Sequence, residues 1–131
     1  MATAVMIHDE TAAGQRTRTF SLDFLTARIT VEALIRKRVQ EEVDEYNRAA
    51  GELFQGLVQP QGAERTAQGY RMAAPRPIDA EAQALRALDA FTRNGFIVIV
   101  DHRQMERLEE QIELRSCTEI SFLKLVPLVG G

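Results

Sequence analysis

No tryptophan occurs in these 131 residues, and six phenylalanines and two tyrosines supply all the aromatic surface. An aliphatic core is therefore expected, and the ring platforms on which sugars or unpaired bases stack are scarce. The single cysteine, Cys117, excludes an internal disulfide. The only histidines, His8 and His102, stand far apart with no ligand spacing around them, so no metal site is expected. Lysine is confined to Lys37 and Lys124, against fourteen arginines, a bias most simply traced to codon usage. A net charge of −3 opposes a nucleic-acid partner, which needs a basic stripe to neutralise phosphates. Apolar runs fall well short of the roughly 20 residues of a membrane span, and the first residues lack a secretory pattern. These absences together point to a cytoplasmic protein that touches neither membrane nor nucleic acid. They leave no phosphate-binding loop and no nucleophile–base pair, so an enzyme is not expected.

What is present reads as alternating short elements. In RTRTFSLDF, residues 16–24, Phe20, Leu22 and Phe24 alternate with polar residues, the two-residue period of a strand with one buried face. TAVMIHD (3–9) is a second strand and ETAAGQ (10–15) a hairpin turn between them. Thr30 then stands as a cap before a helix whose apolar stripe is Val31, Leu34, Ile35, Val39, Val43 and Tyr46. Its acidic cluster Glu41, Glu42, Asp44 and Glu45 reads as a solvated face interleaved with arginine.

Residues 49–78 hold four of the eight glycines and three of the four prolines, which predicts an extended insertion with turns. A second helix is expected after Asp79, with Ala84, Leu85, Leu88 and Phe91 on one face and Asn94-Gly95 as its left-handed stop. FIVIVD (96–101) is apolar on both faces, as an inner strand is. Met105, Leu108, Ile112 and Leu114 anchor a polar crossover into a last strand, TEISFLKLV, with Ile120 and Phe122 inward. The expected fold is α+β: a mixed sheet of four to five strands around a central helix, with an inserted loop and a second helix. All 131 residues form one domain in this reading, with residues 49–94 as the insertion, and the first and last strands lie parallel in the middle of the sheet.

The strand TEISFLKLV runs on into Leu125-Val-Pro-Leu-Val-Gly-Gly131. This ending, with the hairpin and helix of TFSLDF…ITVEALIRKRV, resembles the ubiquitin-like β-grasp family. The tail is especially similar to that of the molybdopterin-type sulfur carriers, with a proline before two apolar residues and Gly-Gly. The resemblance covers residues 3–48 and 95–131 loosely, and the 49–94 insertion is foreign to the minimal fold.

It implies a protein modifier. An ATP-using, ubiquitin-activating-type enzyme adenylates the carboxylate of Gly131; the acyl group then passes to a thiol and on to an amine of a target protein. Adenylation is needed because a free carboxylate is a poor acyl donor. Gly130 and Gly131 lack a Cβ and can thread a narrow channel. Pro127 has no N–H to extend the sheet, so Pro127, Leu128 and Val129 present the diglycine as an extended arm. Conjugating enzymes and a JAB-type deconjugating protease are the further partners implied, and no cofactor is bound to the chain itself. Two alternatives remain: a sulfur carrier holding a thiocarboxylate at Gly131 for cofactor biosynthesis, and a non-covalent adaptor with an inert tail. Leu123, Leu125, Ile97 and Ile99 are expected on the sheet's outer face as an apolar partner-binding patch.

Overall fold

A computed structural model describes residues 2–49, 53–72 and 77–125. Its elements run β1 (Thr3–Thr11), β2 (Arg16–Phe24), β3 (Arg28–Thr30), α1 (Val31–Ala49), β4 (Leu53–Phe54), β5 (Ala63–Thr66), β6 (Gly69–Met72), α2 (Ala80–Thr92), β7 (Phe96–Val100), β8 (Arg103–Met105), β9 (Gln111–Glu113) and β10 (Glu119–Lys124). The class is α+β. The chain divides into two compact units, one from the described residues of Met1–Leu34 and Ala90–Gly131 and the other from Ile35–Asp89.

The first unit holds a mixed five-stranded sheet in the order β2-β1-β10-β7-β8. β1 and β10, the first and last strands, pair in parallel from Met6↔Glu119 to Thr11↔Lys124, and every other neighbour is antiparallel. One face of this sheet is the core. Val5, Ile7, Leu22, Phe24, Val98, Val100, Ile120 and Phe122 are buried there, following the alternation of each strand. Phe91, Phe96 and Phe122 form a chain of ring contacts 5.9 and 5.8 Å apart between centroids.

The turns follow from side-chain chemistry. Gly14 takes φ 86° in the β1–β2 hairpin, where its N–H donates to the Thr11 carbonyl. The β7–β8 hairpin turns on Asp101 and Asn-like use of His102, with φ 47° and 71°, the pair of positive values that a two-residue hairpin with matching twist demands. Asp101 has a second task. Its N–H donates to the Glu119 carbonyl while its carboxylate accepts the Glu119 N–H, clasping the turn to the start of β10.

The first turn of α1 leaves backbone N–H groups without helical partners. Thr30 Oγ1 accepts from Ala33 N–H, while the carbonyls of Glu110 and Leu108 accept from Val31 and Glu32. The acceptor loop is itself fixed by Glu110, whose carboxylate takes the N–H of Glu106 at 2.6 Å and of Arg107 at 3.0 Å. Those two donors, aided by the charges of Arg103 and Arg107, hold the Glu110 carboxyl below its ordinary pKa. β3 and β9 pair beside this loop, burying Ile29 and Ile112.

The second unit corrects the expected loop. Residues 53–72 form a three-stranded antiparallel sheet, β4-β6-β5, closed by a cross-strand Glu64–Arg71 pair at 2.7 Å. Strands of two to four residues are too short to print a hydrophobic alternation, and glycine at their turns resembles loop composition. Gly69, with φ 149°, begins β6 where an added Cβ would lie 2.7 Å from the Phe54 carbonyl oxygen. Phe54 in turn meets Tyr46 edge-on, 5.6 Å between ring centres. α2 is tied to the segment before it by Gln83 donating to the Val58 carbonyl and Arg86 to that of Gln59.

The stripe expected on α1 is buried throughout, but Glu42 leaves the solvated cluster assigned to it. Arg38 and Glu42 are both buried, with Nε 3.0 Å from Oε2, and Glu42 Oε1 accepts the N–H of Leu57. In α2 the buried stripe is Ala84, Ala87, Leu88 and Phe91, and Leu85 is 53% exposed, because it sits one residue off that 3.6-residue line. The capping readings hold. Asp79 Oδ1 accepts from Glu81 N–H, Asn94 has φ 61°, and Gly95 N–H reaches back to the Ala90 carbonyl.

Two outcomes follow. Glu42→Ala strands a buried guanidinium and the Leu57 N–H, and urea unfolding should register a loss of about 3–5 kcal/mol. The double variant Arg38→Met/Glu42→Leu should recover most of that loss. Because the folded-state pKa of Glu110 is lowered, its contribution is complete above the ordinary carboxylate pKa and is lost as pH falls through the lowered value. Unfolding curves across the acid range should therefore show a shallower decline for Glu110→Gln than for the unaltered chain.

Candidate outer sheet face and tail exit

The side of the five-stranded sheet opposite the core carries the residues that the sequence set aside for partners. β10 and β7 alternate strictly, so that burying Ile120, Phe122, Val98 and Val100 turns Leu123, Ile97 and Ile99 outward. Leu123 stands opposite Ile97, and Ser121 opposite Ile99. All of them, with Leu125 beyond the end of β10, are half-buried. Leu123, Ile97 and Ile99 therefore share the outer face, and Leu125 follows directly on β10.

A second, polar half of this face was missed. On β1 and β2 the outward register continues through His8, Glu10, Thr19 and Arg16: His8 pairs with Ser121 and Thr19, and Glu10 with Leu123 and Arg16. Glu10 Oε2 lies 3.3 Å from Arg16 Nε and 3.3 Å from Ser121 Oγ. His8 Nδ1 bonds Thr19 Oγ1 at 3.0 Å, and its Nε2 is buried without a hydrogen-bond partner, 3.9 Å from Glu119 Oε2. The signal was available in principle. Met6, His8 and Glu10 sit two apart in β1, so once Val5 and Ile7 are placed in the core the three must share the outer face.

β10 ends between two other strands of the sheet. The last β10 residue, Lys124, is flanked by Thr11 on β1 and Phe96 on β7, and its Nζ faces buried Asp9 at 3.9 Å. Pro127, Leu128, Val129, Gly130 and Gly131 lie outside the described residues. Protein-family models, curated proteins and solved structures were each compared with this chain, and none matches it.

Other chemistry expected or dismissed from the sequence can be placed. Cys117 is exposed in the turn before β10, beside Thr118, whose hydroxyl accepts the Arg115 N–H. No group of three or more histidine, cysteine or acidic side chains able to hold a metal ion occurs among the described residues. Among the same residues no helix is long and apolar enough to cross a membrane.

The two faces of β10 should respond differently to truncation. Phe122→Ala opens the core and should cost about 3–5 kcal/mol by urea unfolding. Leu123→Ser, one residue on, should cost less than about 1.5 kcal/mol, since only part of one side chain returns to water. Equal losses would mean that Leu123 is a core residue.

Proposed function

We propose that this chain is a ubiquitin-like protein modifier, a β-grasp domain enlarged by an inserted unit and joined to its targets through the carboxylate of Gly131. The observation that carries the reading is the parallel pairing of β1 with β10 at the centre of the sheet. With the opening hairpin and the helix that follows it, this is the arrangement the resemblance in sequence implies. The same pairing supports the tail as the reactive end. β10 is held on both sides by neighbouring strands up to Lys124, so the seven residues from Leu125 to Gly131 begin at a firmly held point.

The chemistry divides cleanly between partners. An adenylating enzyme supplies ATP: the Gly131 carboxylate attacks the α-phosphorus, an acyl-adenylate forms and pyrophosphate leaves. A thiol displaces AMP to give a thioester, and a target amine displaces the thiol to give an amide. This chain contributes no catalytic group to these steps; it contributes a recognisable body and a carboxylate on residues without side-chain bulk. The half-buried patch Leu123, Leu125, Ile97 and Ile99 is the surface assigned to partner docking. Its proximity to the tail exit supports that role, since a partner seated there is within reach of the reacting end.

Trypsin makes the reading testable. Cleavage after Lys124 would leave Leu125-Val-Pro-Leu-Val-Gly-Gly131 as a branch on an acceptor lysine. Captured under denaturing conditions from its own host cells, an amino-terminally tagged chain should yield peptides carrying this branch, and a chain lacking Gly130 and Gly131 should yield none. Absence of branched peptides from the full chain defeats the modifier reading. In that event an intact mass with one carboxylate oxygen replaced by sulfur identifies a sulfur carrier, and an unchanged mass an adaptor.

A further inference from the structure

β2 ends the five-stranded sheet with β1 as its one strand neighbour, so the second row of its backbone N–H and C=O groups has no ladder partner among the described residues. This edge is nine residues long, whereas the other terminal strands of the described sheets, β8, β3, β9, β4 and β5, have two to four. Long edges are normally blunted by proline, lysine or a bulge. RTRTFSLDF contains neither proline nor lysine, and its register shift falls between Asp9 and Glu10 of β1, at the Arg16 end. From Arg18 to Phe24 the strand pairs with Thr3–Asp9 without interruption.

That smooth stretch is centred on Ser21, and its symmetry selects an occupant. Laid antiparallel on a second copy of itself, with a two-fold axis beside Ser21, it pairs over its whole length: Arg18 with Phe24, Thr19 with Asp23 and Phe20 with Leu22. A shift of one residue sets core-side residues against outer ones. A shift of two shortens the ladder, into the bulge or past Phe24. The side chains agree with the central register. On the core side Phe20 is half-buried, with the Arg18 guanidinium 4.6 Å from its ring centre, and Leu22 of the second copy supplies the aliphatic neighbour across the new ladder. On the outer side Asp23 is exposed and, among the described residues, has no hydrogen-bonding or ionic partner. Antiparallel pairing brings the end that carries Asp23 to the end that carries Arg16 and Arg18, whereas parallel pairing sets arginine beside arginine. Leu25, 85% exposed just past the strand, falls beside Thr17 of the second copy.

We propose that β2 pairs antiparallel with β2 of a second copy of this chain, joining two five-stranded sheets into one across an axis at Ser21. A contact of this kind uses the same surface on both copies, so it closes at two and does not run on into a filament. The new ladder forms in the plane of the sheet and leaves the Glu10 and His8 contacts on the outer face intact. Because the axis is perpendicular to the sheet, both outer faces, each with Leu123, Ile97 and Ile99, look the same way. A partner is thereby offered two docking surfaces at once. The pairing involves no residue of the tail and stands apart from the modifier reading.

Sedimentation velocity of the full chain over a concentration series should show a reversible monomer–dimer equilibrium, since a single ladder lies at the small end of specific interfaces. Ser21 opposes its own copy at the axis, so Ser21→Lys and Ser21→Glu each set like charges face to face. Each should weaken the dimer at least about fivefold. Ser21 is exposed, so both variants should keep the circular dichroism and urea midpoint of the unaltered chain. Mixed in equal amounts, with one variant carrying a tag of distinct mass, they should recover the dimer as a mixed pair, because lysine then opposes glutamate. Removing Gly130 and Gly131 should leave the equilibrium unchanged. A chain that stays monomeric up to about 1 mM overturns the proposal and hands the edge to another occupant. A dimer equally strong in both variants, or a mixture no better paired than either variant alone, overturns it as well. A dimer that leaves no tail branch on other proteins sinks the modifier reading alone.

Discussion

The parallel contact between β1 and β10 is the constraint from which the first unit follows. Both strands lie inside the sheet, and Val5, Ile7, Ile120 and Phe122, their inward residues, are wholly removed from solvent. Two parallel neighbours cannot be joined by a hairpin, so the rest of the chain must be routed between the end of one and the start of the other. Here that route holds nearly the whole sequence, including an inserted unit with its own small sheet. The closure entropy of so long a connection grows only logarithmically, which is why an insertion of this length is tolerable once the central pair is well buried.

The inserted unit is held by a different kind of contact. Arg38 and Glu42 are one helical turn apart on α1 and are both withdrawn from water, where ion pairing alone rarely offsets desolvation. The arrangement is sustained because Glu42 uses both oxygens, one for Arg38 and one for the Leu57 N–H, so the pair also satisfies backbone that would otherwise be orphaned. Asn47 does the same for the other end of the unit, donating to the Ile78 carbonyl and accepting its N–H. Side chains of one helix thus substitute for ladder partners that an irregular segment lacks.

Much of this was legible because the signals are local. Alternation in residues 16–24 and 119–124, the Thr30 and Asp79 caps and the Asn94-Gly95 stop each depend on neighbours within a turn, and each appears where expected. What failed depends on distant partners. Nothing near Glu42 announces that Leu57 will require its oxygen, and no glycine marks Asp101 and His102 as a turn with two positive φ values. The candidate site divides along the same line. Leu123, Ile97 and Ile99 face outward by strand parity alone, whereas the contacts of Glu10 with Arg16 and Ser121 need three strands to meet.

The two halves of the outer face differ in what they leave available. On β1 and β2, Glu10 is engaged by Arg16 and Ser121, and His8 is covered to the point that its Nε2 cannot reach water. A partner approaching there would have to displace contacts already made, and each polar group it stripped of a partner would add a desolvation cost of about 1–3 kcal/mol. On β10 and β7 the exposed portions of Leu123, Ile97 and Ile99 make no polar contacts that a partner must break, and covering them releases water from apolar surface. The apolar half is therefore the one that can be covered without breaking a polar contact.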